Sequence, residues 1–232
     1  MFKGFIETSI INKAIMKNLV SIELVDMRTF TQDRHNRVDD YPYGGGAGLV
    51  LLAQPVVDAI ESTRTEDSLV VMMTPQGKTF KQDIAYDLAS NVKHLILVCG
   101  HYEGFDERIR DYVDLEISIG DYVLTGGEIA AMAISDAVIR LVNGVITKES
   151  HEDDSFSDGL LEYAHYTKPR EFRGKEVPEV LLSGHHENVR KFRLYSSLEK
   201  TYQYRPDLLK GRTLSKEELD MLNEIRNKTE ND

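Results

Sequence analysis

Apolar residues recur at helical spacing over the first 17 positions, where Phe2, Phe5, Ile6, Ile10, Ala14 and Ile15 form one stripe and predict an amphipathic helix from Met1 to Lys17. The β-branched run Leu19 to Val25 then reads as a strand. From Arg28 to Gly48 the periodicity vanishes; the stretch is polar, then glycine-rich, and predicts a long loop, a feature that in compact domains usually carries function. A short helix is expected over Gln54 to Thr63, opening near Pro55. Leu69 to Thr74 is almost uninterruptedly apolar, as suits a strand covered on both faces of a parallel sheet. Pro75-Gln76-Gly77 predicts a tight turn into a helix over Lys78 to Ser90. A second apolar strand, His94 to Cys99, stops at Gly100, and a short charged helix is expected over Phe105 to Tyr112. A third strand, Leu115 to Ile119, leads through Gly120 to Gly127 into a long apolar helix from Glu128 to Val142.

Strands alternating with helices in this way predict an α/β fold with a mostly parallel sheet. After Val142 the character changes. Residues 147–158 (TKESHEDDSFSD) are polar and acidic and read as an exposed linker, separating a domain at 1–146 from a helical one at 159–232. In the latter, helices are expected over Glu187 to Tyr202 and Pro206 to Lys210, and a last one is opened by the capping box Ser215-Lys216-Glu217-Glu218.

Composition changes this picture in two respects. The 232 residues include a single cysteine, Cys99, which excludes an intrachain disulfide framework and any multi-cysteine metal centre. The net charge of -11 argues against a polyanionic partner, yet residues 165–212 hold 11 Lys and Arg against 6 Asp and Glu, a basic segment compatible with phosphate contacts. The longest apolar helix candidate is interrupted by Asp136 and Arg140, and the start of the chain carries Lys3 and Glu7 rather than a leader's apolar stretch. A soluble, cytoplasmic protein with no membrane association is expected.

The candidate chemistry centres on two glycine-bearing loops, each lying after a strand and before a helix, at 100–104 and 120–127. In open α/β sheets ligands sit beyond the carboxyl ends of strands, and glycine lets a ligand approach the backbone closely. Gly77-Lys78-Thr79 superficially matches a phosphate-binding loop, but position 72 is Met72 rather than the required glycine, and no GxGxxG follows a strand. A Cys99/His101 nucleophilic pair is disfavoured, because side chains two apart in extended chain need not converge. His185-His186-Glu187 lacks HExxH spacing, so no metal site is expected.

Seven stretches in register carry a resemblance over nearly the whole chain: Arg34 to Gly46 (RHNRVDDYPYGGG), Pro75-Gln76-Gly77, Cys99 to Gly104 (CGHYEG), Ile119 to Glu128 (IGDYVLTGGE), Asp153 to Phe156 (DDSF), His165 to Pro169 (HYTKP) and Leu181 to Gly184 (LLSG). Together the chain resembles the bacterial tRNA (guanine-N1)-methyltransferases, the TrmD-like branch of the SPOUT superfamily. The resemblance implies a deep trefoil knot in the 1–146 domain, which binds S-adenosylmethionine, and a tRNA-binding role for the helical domain. It implies cofactor contacts from Pro75, Gln76, Gly77, Gly100, Tyr102 and Glu103, from Ser118, Ile119, Gly120, Asp121, Tyr122, Val123 and Leu124, and from Gly126 and Gly127. It further implies a homodimer with the active site at the subunit interface, and Mg²⁺ dependence, which leaves no signature of its own in the sequence.

The reaction so implied methylates N1 of the guanine immediately 3′ of the anticodon. That nitrogen bears a proton, so a positioned base is needed, and charge building on O6 favours a cationic donor. Asp154 is the implied base, Arg140 its partner. Arg34, His35, Tyr43, Lys168, Arg170, Arg190 and Arg193 are candidate tRNA contacts. The chain departs from the family pattern at Ala130 and Asn143, where prolines are usual, at Lys168, where arginine is usual, and in starting at Met1 inside the first helix without the family's first strand. Two rival readings are a nucleotide-cofactor oxidoreductase, favoured by the α/β pattern but opposed by the missing glycine fingerprint, and a tRNA-binding module that has lost catalysis.

Overall fold

The computed structural model describes residues 1–147 and 155–229, arranged as two compact units, Met1–Thr147 and Lys148–Asp232. The first unit opens with two short helices, α1 (Phe2–Ile6) and α2 (Ser9–Met16), where the pattern predicted one. Ser9 takes φ +37°, so the helix breaks and the second half is re-aimed: Ile11 and Ala14 face the core against Ile139, while Ile10 of the predicted stripe is exposed. The Leu19 to Val25 run forms no strand, and Leu24 and Val25 lie exposed. β-Branched side chains favour a strand only where a neighbouring strand supplies a ladder, and among the described residues none does here.

The predicted loop at 28–48 is partly structured. A 3₁₀ turn at Met27–Phe30 is capped by Asp26, whose Oδ1 accepts from Arg28 N at 2.9 Å. Strand β1 (Asp39–Asp40) pairs antiparallel with β2 (Val50–Leu51), and helix α3 (Ala53–Thr63) follows.

The sheet that matters is parallel, with β3 (Ser68–Thr79) between β4 (His94–Val98) and β5 (Leu115–Ser118). Its centre obeys the twofold alternation of a strand. Val71 and Met73 pack beneath α4 (Gln82–Asn91) and α5 (Glu128–Ile139), with Ile84, Leu88, Ile134 and Val138. Val70 and Met72 point the other way, against Val56 and Ile60 of α3 and Ile109. All four are essentially sealed from water, each burial worth about 1.5–3 kcal/mol, which is why this run reads as continuous apolar sequence.

The tight turn predicted at Pro75-Gln76-Gly77 is instead an excursion within β3. Met73 and Lys78 both sit opposite Ile117, so residues 74–77 loop out before the ladder resumes at Lys78 and Thr79, and α4 begins only at Gln82. Gly77 lies directly on β5: a Cβ there would stand 2.5 Å from the Glu116 carbonyl carbon.

The second unit carries a hairpin of β6 (Glu171–Phe172) and β7 (Lys175–Glu176) and two helices, α6 (His186–Tyr204) and α7 (Lys216–Thr229), packed around Leu160, Leu198 and Ile225. Side chains of α6 lace an extended segment onto the helix. Thr201 Oγ1 accepts from Leu161 N and Ser196 Oγ from Ala164 N, each at 2.9 Å, meeting backbone donors that no sheet satisfies. The expected capping box is present, with Ser215 N donating to Glu218 Oε2 at 2.6 Å and Glu218 N donating to Ser215 Oγ at 3.2 Å. Ser215→Ala should cost about 1 kcal/mol, read as a lower urea midpoint for the transition of this unit.

Candidate functional site: three loops at one sheet edge

Because β3, β4 and β5 run parallel, the chain segments that leave them emerge on the same side. Those segments are the β3 excursion at 74–77, the loop 99–104 after β4, and the loop 119–127 after β5. The second and third loops are bound to each other. Gly127 N donates to Gly100 O at 2.8 Å, and His101 and Gly126 form an antiparallel bridge. The His101 imidazole Nε2 and Glu128 Oε1 are hydrogen-bonded.

Close backbone approach explains the glycines. A Cβ on Gly127 would stand 2.8 Å from Cys99 Cα and 2.9 Å from Gly100 N. One on Gly126 would meet His101 Cε1 at 2.8 Å. Gly120 has φ +146°, and its amide donates to the buried Ser118 hydroxyl at 3.2 Å, which shapes the turn. Tyr102 adopts the left-handed conformation at φ +59°, unusual for a non-glycine residue and associated with functional turns.

The predicted cofactor residues thus fall in two positions. Ser118, Ile119, Leu124, Gly100, Gly126 and Gly127 are buried or half-buried where the loops join the sheet. Tyr102, Glu103, Asp121, Tyr122 and Val123 are exposed on the loops, Val123 to 91%. Pro75 and Gln76 are exposed on the β3 excursion; beside it, a cleft of about 420 Å³ is lined by Gln76, Gly77, Lys78, Arg110, Asp114 and Glu116. In that cleft Arg110 is paired with both Glu107 and Glu116.

Cys99 behaves as a buried apolar group. Burial, with the nearby Glu128 charge, pushes its thiol up to about 12, which removes thiolate chemistry at neutral pH.

The glycine-rich loop reaches the same place. Leu51 N donates to Gly104 O and Asp106 N to Leu51 O, both at 2.9 Å, and a Cβ on Gly48 would stand 2.8 Å from Glu103 Cδ. Upstream, Asp33 ties a knob. Its carboxylate accepts from His35 N at 2.8 Å and from the Arg37 guanidinium, whose hydrogen bonds hold it well below the usual carboxylate range. Arg34 and His35 sit exposed on that knob, and Tyr43 lies fully exposed beyond it.

Arg140 caps the C-terminus of α5 with its backbone, its amide donating to Asp136 O at 3.1 Å. Asp154 lies outside the described residues. In the second unit Arg190 is clamped between Glu187 at 2.9 Å and Glu217 at 2.7 Å, and Arg170 reaches Glu179 at 3.3 Å. Arg193 stacks over Tyr163 at 4.7 Å. Lys168 is exposed and makes no ion pair among the described residues. The basic segment is therefore partly neutralised by its own acids. The residues that sequence reasoning missed are His101 and Glu128 as a pair: 27 positions apart, they share no element or period.

A nucleoside cofactor suits this edge. Half-buried Ile119 and Leu124 offer apolar surface, Tyr102 and Tyr122 offer rings, and the exposed carboxylates of Glu103 and Asp121 suit a cationic sulfonium. Among the described residues no three His, Cys, Asp or Glu side chains converge as metal ligands.

The first unit is thus a parallel α/β unit with glycine-bearing loops at the carboxyl ends of its strands, the place where open α/β sheets hold ligands, and a helical unit follows it. The family described as tRNA (Guanine-1)-methyltransferase TrmD matches residues 1–211, and the chain belongs to that family. It is 50% identical over 226 residues to the tRNA (guanine-N(1)-)-methyltransferase of Mycoplasma mycoides, covering 97% of this chain and 94% of the relative. Its identity to the enzyme of that name from Malacoplasma penetrans is 59% over 207 residues, 89% of this chain and 91% of the relative. To that of Halalkalibacterium halodurans it is 52% over 235 residues, 99% and 95% of the two chains. Among the described residues no helix is long and apolar enough to cross a membrane.

Proposed function

We propose that the chain transfers a methyl group from S-adenosylmethionine to N1 of the guanine immediately 3′ of the anticodon in tRNA. The observation that carries this is the backbone joining of the loops 99–104 and 119–127 beyond the ends of β4 and β5, in a chain of a family named for that reaction. Bound in the loops, S-adenosylmethionine supplies an electrophilic methyl. The chain's own residues bind, orient and move a proton. Backbone around Gly100 and Gly126 and the apolar side chains of Ile119 and Leu124 hold the nucleoside. Asp154 would take the N1 proton and so free the N1 lone pair to accept the methyl as its bond to the sulfonium sulfur breaks, with neutral S-adenosylhomocysteine as the leaving product, and Arg140 would offset charge building on O6.

The trefoil knot belongs to the same reading, supported by the backbone contacts of Gly77 on β5 and Gly127 on Cys99. So does a homodimer in which Asp154 and the helical unit of one subunit serve the loops of the other. Its support is α5, a helix apolar nearly all round whose Ile129 and Ala133 remain exposed. Arg34 and His35 on the knob and Tyr43 beyond it are tRNA contacts in the same reading, as are Lys168, Arg170, Arg190 and Arg193 of the second unit.

The test is methyl transfer from labelled S-adenosylmethionine to two transcripts, one with guanine and one with adenine immediately 3′ of the anticodon. Transfer to the first alone is expected. Transfer to both overturns the positional assignment, and transfer to neither favours a binding module without catalysis.

A further inference from the structure

The contacts between the second and third loops are of two kinds, and only one is backbone. The Gly127 to Gly100 hydrogen bond and the His101–Gly126 bridge join the chains where they cross. The His101–Glu128 contact adds a side-chain tie on the same crossing. Glu128 is the first residue of α5, next to its N-cap Gly127, where the helix dipole favours a carboxylate. The Glu128 side chain is 19% exposed and that of His101 43%, so the contact is partly shielded from water. His101 is adjacent to Tyr102, with ring centroids 6.0 Å apart, and two residues before Glu103.

We infer that His101 and Glu128 form a clasp that sets the spacing of the two loops and so pre-organises them for S-adenosylmethionine. Both are positioning residues: they act on the cofactor through the loops that they fasten. The inference rests on the cofactor reading above. Without the clasp the loops must be ordered at the moment of binding, and that cost appears in cofactor affinity before it appears in the chemical step.

The experiment is a double-mutant cycle on the full chain, with S-adenosylmethionine binding measured by calorimetry and steady-state kinetics run against both substrates. His101→Ala and Glu128→Gln should each raise the KM for S-adenosylmethionine about tenfold, the double variant no more than the worse single, as contacting residues couple non-additively. At saturating cofactor kcat should fall less than about twofold, with the KM for tRNA unmoved. His101→Arg, which keeps a hydrogen-bond donor opposite Glu128, should recover most of the affinity. A merely structural role predicts instead that kcat and both KM values shift together and that melting temperature falls with them; that result overturns the clasp. Undiminished binding by both single variants overturns it too, with the cofactor reading intact. Failure of the unsubstituted protein to bind S-adenosylmethionine overturns the cofactor reading, and the clasp's role with it.

Discussion

Asp154→Asn should lower kcat for methyl transfer by about 10²–10⁴-fold, the usual contribution of a positioned general base. The substitution keeps size and hydrogen-bonding capacity but removes the proton acceptor. Affinity for tRNA and for S-adenosylmethionine should therefore change little, and the loss should appear in kcat. Raising the pH removes the N1 proton without help from the protein, so the gap between the two proteins should narrow in alkaline buffer. Asp153→Asn is the matched control, one residue away in the same acidic stretch, and should leave the rate near that of the unsubstituted chain. Equal losses at the two positions would mean that the stretch acts through its summed charge, and Asp154 would lose its assignment.

Gly127→Ala should abolish cofactor binding and destabilise the first unit by about 1–3 kcal/mol or more, the range for overpacking a tight site. The added methyl would meet Cys99 Cα at 2.8 Å and Gly100 N at 2.9 Å. Both are backbone atoms of the neighbouring loop, so no rotamer change relieves the overlap. The loops must part, breaking the Gly127 to Gly100 hydrogen bond. Gly4→Ala supplies the contrast. Gly4 lies within α1 with nothing inside 4 Å of its added Cβ, so alanine there should be neutral or slightly stabilising. Thermal unfolding and calorimetry with S-adenosylmethionine read both variants together.

What could be read along the chain depended on whether the informative contacts were local. Val70 to Met73 announce a strand covered on both faces because each successive side chain is apolar, whichever helix covers it. The capping box at Ser215 closes within a single helical turn, and its two hydrogen bonds follow from four adjacent residues. The glycines at 100, 120, 126 and 127 marked the loops that join predicted elements, because each follows or precedes one.

Other elements failed where a distant partner decides. Leu19 to Val25 has the composition of a strand, yet strand formation needs a ladder, and composition names no neighbour. Pro75-Gln76-Gly77 has turn chemistry and does leave the strand, but β5 recaptures the chain at Lys78, which no local rule anticipates. The break at Ser9 swaps Ile10 for Ile11 in the core, a rotation settled by the packing of Ile139 against α2. That the tRNA candidate Arg190 also pairs with Glu217 is equally hidden along the chain, since the two are 27 residues apart.

The amino-acid sequence by itself determined the α/β alternation, the second helical unit and the identity of the glycine loops, since these rest on periodicity and backbone freedom within a few residues. Only the tertiary structure decided that Gly127 lies on Cys99, that Gly77 lies on β5, and that His101 meets Glu128. Those contacts join positions tens of residues apart, and their closeness follows from parallel strand order and the packing of helices on the sheet, which the pattern along the chain leaves open.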